Sequence, residues 1–249
     1  MAALAVRLTP HRSTPAALWW CSAVLGLLGW GCSALRHHLL QSNAYDLGLF
    51  DQWAWLIGRG LEPVSSMEHV HVLADHGAWL LYGAGAAYGL LPSVHWLFAS
   101  QAIALSFTAI PIWWLSQQAG LSPKHCWLAC ALWWLQPVVF NTILFDFHPE
   151  TWVMPAFALA LWAERAEKPR LWFALLLLML GARDGLILVI AGMASMLALV
   201  RSCKGTIHRM AFHPEPKALS LAQRWERPEG CRAHVRTSRR WIFKPCQQP

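Results

Sequence analysis

The sequence predicts an all-α fold: a polytopic bundle of transmembrane helices followed by a basic tail outside the membrane. Three observations carry that prediction. The chain of 249 residues is 56% hydrophobic and 13% charged with 17 Trp, more apolar surface than a soluble core of this size needs. Seven apolar runs recur between residues 16 and 200. Charge is segregated as well: residues 1–200 hold 9 Lys/Arg against 10 Asp/Glu, net −1, and residues 201–249 hold 11 against 3, net +8.

The first run, 16–35, follows Arg7 and Arg12 and is longer than the core of a signal peptide, so it reads as an uncleaved first span. Its basic flank places residues 1–15 in the cytoplasm and makes 36–76 an outer loop. Within that loop Leu49, Phe50, Trp53, Leu56 and Ile57 recur at helical spacing and predict a short amphipathic helix lying in the membrane interface. The 77–91 run has 15 residues, four of them Gly, against about 20 for a span, so it reads as a re-entrant or in-plane piece. The runs 94–116, 125–145, 151–163, 171–182 and 185–200 then cross alternately. Their order is fixed by the linker ERAEKPR at 164–170 and by Arg201 and Lys204, which belong inside.

Residues 201–249 contain no run able to span a membrane and are expected to be disordered or to arise from a frameshift. The competing reading is a basic arm on anionic lipid. No nucleic-acid fold and no aromatic-basic platform accompanies the charge, so nucleic acid is not expected as a partner. Seven Cys without a repeated CxxC signal neither a disulfide framework nor a zinc site.

This topology gathers the ionisable groups on the outer side. The loop sequence YDLGLFDQWAW (45–55) carries Asp46 and Asp51, where charge beside a membrane is costly unless used or solvated. Asp46 also suits a helix N-cap, and Asp51 a wet interfacial charge. Asp75 and His76 precede the 77–91 run, with Glu68, His69 and His71 upstream at irregular spacing. FDFHPE (145–150) supplies Asp146, His148 and Glu150, with Pro149 placed for a first helical turn. ARDG (182–185) breaks a hydrophobic run with Arg183 and Asp184, which either neutralise each other or offer a guanidinium fork to a phosphate.

The order and spacing of YDLGLFDQ, the Asp75-His76 pair, FDFHPE and Arg183-Asp184 resemble a family of bacterial polytopic membrane proteins of unknown function over residues 17–200. That family is similar in layout to the N-terminal part of GT-C superfamily glycosyltransferases. The resemblance implies a transferase handling a lipid-linked sugar from a polyprenyl-phosphate donor at the extracytoplasmic face of the inner membrane. It implies Asp46, or Asp51 in a shifted register, as the base or the carboxylate that positions a divalent metal or phosphate. His76, Asp146, His148, Glu150, Arg183 and Asp184 become substrate-binding groups. Two departures stand out: His76 is followed by Gly77-Ala78-Trp79 where relatives have Phe and Pro, and Ala182-Arg183-Asp184 replaces Lys-Glu-Asp. Relatives also continue with further spans, so a short, inactive copy is one expectation. A non-catalytic membrane protein, a transporter fragment or an assembly scaffold, is the other.

Overall fold

The computed structural model describes residues 13–212, which are helical throughout apart from loops and one isolated bridge between Val64 and His71. The basic flank at Arg7 and Arg12 and the tail beyond 212 lie outside the described residues. The chain divides into two compact units, 1–193 and 194–249. All the packing below is within the first.

Helix α1 (Ala16–His38) has 23 residues, about 35 Å at 1.5 Å per residue, enough for a hydrocarbon core of about 30 Å. One face is small, burying Ser22, Gly26 and Ser33, and lets α1 lie close against α5 (His95–Phe107). The other exposes Trp20, Leu27 and Leu28, a surface suited to lipid and too apolar for water. Helix α5 continues through Thr108 into α6 (Ala109–Gln118), giving a second apolar helix of 24 residues. Helices α7 (Pro123–Trp134) and α8 (Pro137–Leu144) form a pair bent by 45°. Pro137 opens α8 at that bend, where its missing N–H and fixed φ favour a fresh start.

Helices α9 (Val153–Arg165) and α10 (Pro169–Leu180) pack together through Ala156, Ala160, Ala163, Leu175 and Met179. With 13 and 12 residues they reach about 20 and 18 Å, so the expectation that 151–163 and 171–182 each cross alone is not met by their length. Two helices are long and apolar enough to cross a membrane, three if the bent pair counts as one span. Helix α11 (Ile187–Phe212) runs past 200, the expected end of the last apolar segment.

The helix ends sort into two sets. At one, Trp114 Nε1 donates to Thr14 Oγ1 at 2.8 Å and Gln118 Nε2 to the Trp162 carbonyl at 3.3 Å. At the other, α1 finishes where α5 starts, with His37 against Phe98 and His38 against His95. α8 finishes and α9 starts there too, since Arg36 bonds Asp146. So do the end of α10 and the start of α11, where Arg183 meets Glu150.

This second end also holds α2 (Ala44–Gly58), α3 (Val72–Asp75) and α4 (Leu81–Leu90). Helix α4 has ten residues, about 15 Å, and does not traverse the bundle. Its start is tied to α10 by Leu80 N–H donating to the Gly181 carbonyl at 2.9 Å, and the chain beyond it shares a cavity with His37 and Asn43. The glycines of 77–91 have a packing cause. A Cβ on Gly58 would stand 2.8 Å from the Gly85 carbonyl oxygen and the Gly89 nitrogen, so α2 and α4 cross backbone to backbone. The apolar stripe of α2 accordingly faces protein: Leu49, Phe50 and Trp53 are buried with Val72, Leu81 and Phe147. The expected interfacial helix is instead a core helix, because α3, α4 and FDFHPE cover the face that lipid was expected to cover.

Candidate functional site

FDFHPE is held from both sides by buried polar groups. Helix α8 stops at Leu144, Phe145 is extended, and Asp146 turns its carboxylate inward. There Arg36 Nη1 donates to Oδ1 at 2.9 Å and the Asn43 N–H to Oδ2 at 2.6 Å, tying the end of α1 and the start of α2 to this segment. Gln101, buried in the middle of α5, donates to the carbonyls of Thr142 at 2.8 Å and Phe145 at 3.2 Å. Its own oxygen accepts from His148 N–H at 3.0 Å. An amide inside an apolar run must find such partners or pay for its desolvation. That is the signal by which Gln101 could have been found in the sequence.

With the backbone fixed, His148 and Glu150 are positioned. His148 Nδ1 lies 3.0 Å from the Asp146 carbonyl oxygen, which can only accept, so Nδ1 carries the proton and Nε2 is left as acceptor in the neutral ring. Pro149 opens a short 3-10 turn, Pro149–Trp152, as its fixed φ favours. His148, Glu150 and Thr151 line a cavity of about 430 Å³ whose other walls are Leu105, Trp133, Val138, Val139, Thr142 and Met154. Glu150 is paired with Arg183, which stands where the chain passes from α10 to α11.

The His76 loop reaches the same place. Gly77 adopts φ +60°, and the turn lets the His76 carbonyl accept from Asp184 N–H at 2.9 Å. Trp79 lies over Gly181, a position with no room for a side chain. His76 is paired with Asp75 through Nδ1. Burial lowers the imidazole's pKa below its usual value, and the Arg183 charge lowers it further, against the opposing pull of Glu150, Glu68 and Asp184. At neutral pH the ring is therefore uncharged.

Phe50 is the hub. Its ring centre lies 6.1 Å from His76, 5.8 Å from His148, 5.5 Å from Phe147 and 5.8 Å from Trp53. His76 and His148 thus meet at one aromatic side chain of α2, and the other groups join them through their neighbours: Glu150 follows His148 and pairs with Arg183, and Asp184 N–H bonds the His76 carbonyl. Asp46 sits one turn before Phe50 in the first turn of α2. The N-cap is not Asp46 but Asn43, whose side chain accepts from Tyr45 N–H at 2.9 Å and donates to Asp46 Oδ2 at 3.1 Å.

Two candidates lie apart. Asp146 is consumed by its buried bonds to Arg36 and Asn43. Asp51 faces a different cavity and accepts from Tyr88 of α4 at 2.6 Å, so it is not the wet surface charge that its sequence position allows. Of the upstream groups, Glu68 contacts the Tyr45 hydroxyl and His71 Nδ1 caps α3 by accepting from Leu73 N–H at 3.1 Å. Among the described residues no three His, Cys, Asp or Glu side chains converge to hold a metal ion. Arg36, Phe50, Gln101 and Tyr88 are the supporting residues that the sequence did not single out as partners.

No curated protein and no solved structure matches the chain. A family described as "Predicted membrane protein (DUF2079)" matches residues 36–224, which is 189 of 249 residues, and the match runs past the expected boundary at 200. It takes in His76, His148, Glu150, Arg183, Asp184 and both acids of α2. This chain belongs to that family of membrane proteins of unknown function.

Proposed function

We infer that this protein is a multi-pass inner-membrane protein that handles a lipid-linked sugar at the extracytoplasmic face, as a GT-C-like glycosyltransferase. One observation carries the reading. The apolar cavity among α5, α7, α8 and α9 has His148 and Glu150 at its polar lip, and Glu150 is in contact with Arg183. An isoprenoid chain suits the apolar walls. The phosphate it bears then meets a guanidinium, whose planar fork fits two phosphate oxygens.

Each group then has a step in a glycosyl transfer. An acceptor hydroxyl attacks the anomeric carbon of the donor sugar, and the bond from that carbon to the phosphate oxygen breaks. The phosphate leaves with the electron pair, stabilised by Arg183, while the free ring nitrogens of His76 and His148 accept hydrogen bonds from sugar hydroxyls. Asp46 takes the hydroxyl proton as general base, a role worth about 10²–10⁴ in rate. Glu150 orients Arg183, and Asp184 holds the adjoining turn through its N–H to the His76 carbonyl.

The test is transfer of radiolabelled sugar from a polyprenyl-phosphate donor by the full chain in lipid nanodiscs. Wild type turns over, Asp46→Asn falls by at least ~100-fold, and Arg183→Ala raises KM for the donor. A folded wild type with no turnover overturns the reading.

A further inference from the structure

The larger cavity at this end of the bundle is not used by that reading. It has a volume of about 600 Å³ and lies between the end of α1, one face of α2, the end of α4 and the chain leading into α5. Ligand pockets typically fall between about 300 and 1,000 Å³. Asp51 and Tyr88 form its polar wall, joined by the 2.6 Å bond from the tyrosine hydroxyl. Asn43, Ser42 and Ser93 add groups that both donate and accept, His37 closes one side, and Leu47 and Val94 supply an apolar wall. Trp55, 41% exposed, stands at the edge.

We propose that this cavity is a binding site for an uncharged saccharide, distinct from the groups that meet at Phe50. The lining argues against the charged classes. No Lys or Arg lines it while Asp51 does, so an anion meets repulsion. A cation seated at the indole meets the charge of Arg59, whose guanidinium carbon lies 5.8 Å from the centre of the Trp55 ring. A carboxylate has about four acceptor sites, and the Tyr88 hydroxyl fills one. Two neighbouring sugar hydroxyls can donate to the rest. The mixed hydroxyls and amide suit groups that both give and take hydrogen bonds, and the apolar wall with the indole suits the C–H face of a pyranose ring.

Binding needs neither donor nor transfer, so it stands or falls separately from the transferase reading. The experiment is saturation-transfer NMR on the full chain in nanodiscs with glucose, galactose and mannose, alongside glycerol phosphate and ethanolamine as charged probes. At least one hexose gives saturable binding. That binding weakens about tenfold in Asp51→Ala, which loses charge-assisted hydrogen bonds, and severalfold in Trp55→Ala. Ser122→Ala, at the opposite end, leaves it unchanged. Should Asp51→Ala fail to fold, Tyr88→Phe keeps the test, since it alters the same wall without removing the carboxylate and must shift the hexose affinity. Absence of hexose binding, hexose binding indifferent to all three cavity variants, or binding of the charged probes alone each overturns the proposal.

Discussion

Asp146 and Glu150 are four residues apart on one loop, and each meets an arginine, yet the two pairs do opposite things. The Asp146 side chain is 0% exposed and its Arg36 partner 26%, whereas Glu150 and Arg183 are 24% and 44% exposed. The first pair also takes in the Asn43 backbone, so three segments depend on one carboxylate. The second borders a cavity and is partly open to solvent. A carboxylate sealed with all its bonds made within the chain is structural. One that a ligand can reach without unfolding the loop is available for chemistry. The contrast is set by direction along the chain: Asp146 precedes the turn at Pro149 and faces the end of α1 and the start of α2, and Glu150 follows it and borders the cavity beside Arg183.

The sharpest way to break the comparison is Asp146→Ala. It leaves Arg36 and the Asn43 N–H without their partner in a buried setting, and removing one member of such a pair costs about 3 kcal/mol. Thermal unfolding in detergent should show the loss, with the family of loops at this end exchanging amide hydrogens sooner than the α6–α9 contact. If Asp146→Ala melts with wild type, the sealed pair is not what holds the loops. Next in size is Gly58→Ala, whose new methyl meets the backbone of Gly85 and Gly89 at 2.8 Å. Overpacking of this kind costs about 1–3 kcal/mol, and because α2 carries both Phe50 and Asp51, donor transfer and hexose binding should fall together. A fall in only one of them would mean that the two sites do not share α2 as their frame.

Glu150→Gln should do the reverse of Asp146→Ala. Its partner is well exposed and solvent-screened, so the stability change should stay within about 1 kcal/mol. Its effect belongs in the transfer assay, where freeing Arg183 changes KM for the donor more than it changes melting temperature. A large drop in stability with unchanged KM would put both ion pairs in the same structural class.

Much of this arrangement was legible in the sequence. The apolar runs gave an all-helical chain, the shortness and glycines of 77–91 match the ten-residue helix α4 and its close approach to α2, and the order of basic linkers grouped the ionisable loops. Hydrogen bonds among those loops now join Arg36, Asn43, His76, Asp146 and Asp184 at one end. The partition among the acids was not legible. Asp46 and Asp51 differ by five residues, which on a helix turns them toward different neighbours, and only the position of Tyr88 on α4 shows which cavity Asp51 faces. The stripe through Phe50 has the same spacing whether it meets lipid or protein. Its burial depends on α3, α4 and Phe147, segments far apart in sequence, and periodicity carries no information about partners. Span length is similarly hidden, because helices α9 and α10 stop at Arg165 and Leu180 for local reasons, a basic linker and the Gly181 contact with Trp79.

The smallest predicted effect distinguishes the two ends of the Arg183 network. His76 lies against Phe50, as His148 does, and burial together with the Arg183 charge keeps the folded pKa of His76 below the unfolded value of about 6.5. Above that value both states hold a neutral ring, and folding is unaffected by this group. As pH falls below it, the unfolded chain takes up a proton that the folded chain resists, so stability declines until the folded pKa is passed and is then level. The contribution is therefore present at neutral pH and lost on acidification, the opposite of a histidine that gains a partner on protonation. Melting temperature followed from pH 7.5 down to pH 5 should fall more steeply in wild type than in His76→Gln, which cannot titrate. In Arg183→Ala the folded pKa rises toward the unfolded one, and the slope should flatten in part. A wild-type profile that His76→Gln leaves unaltered would remove His76 from the electrostatics of the open pair and leave Glu150 as the sole group answering to Arg183.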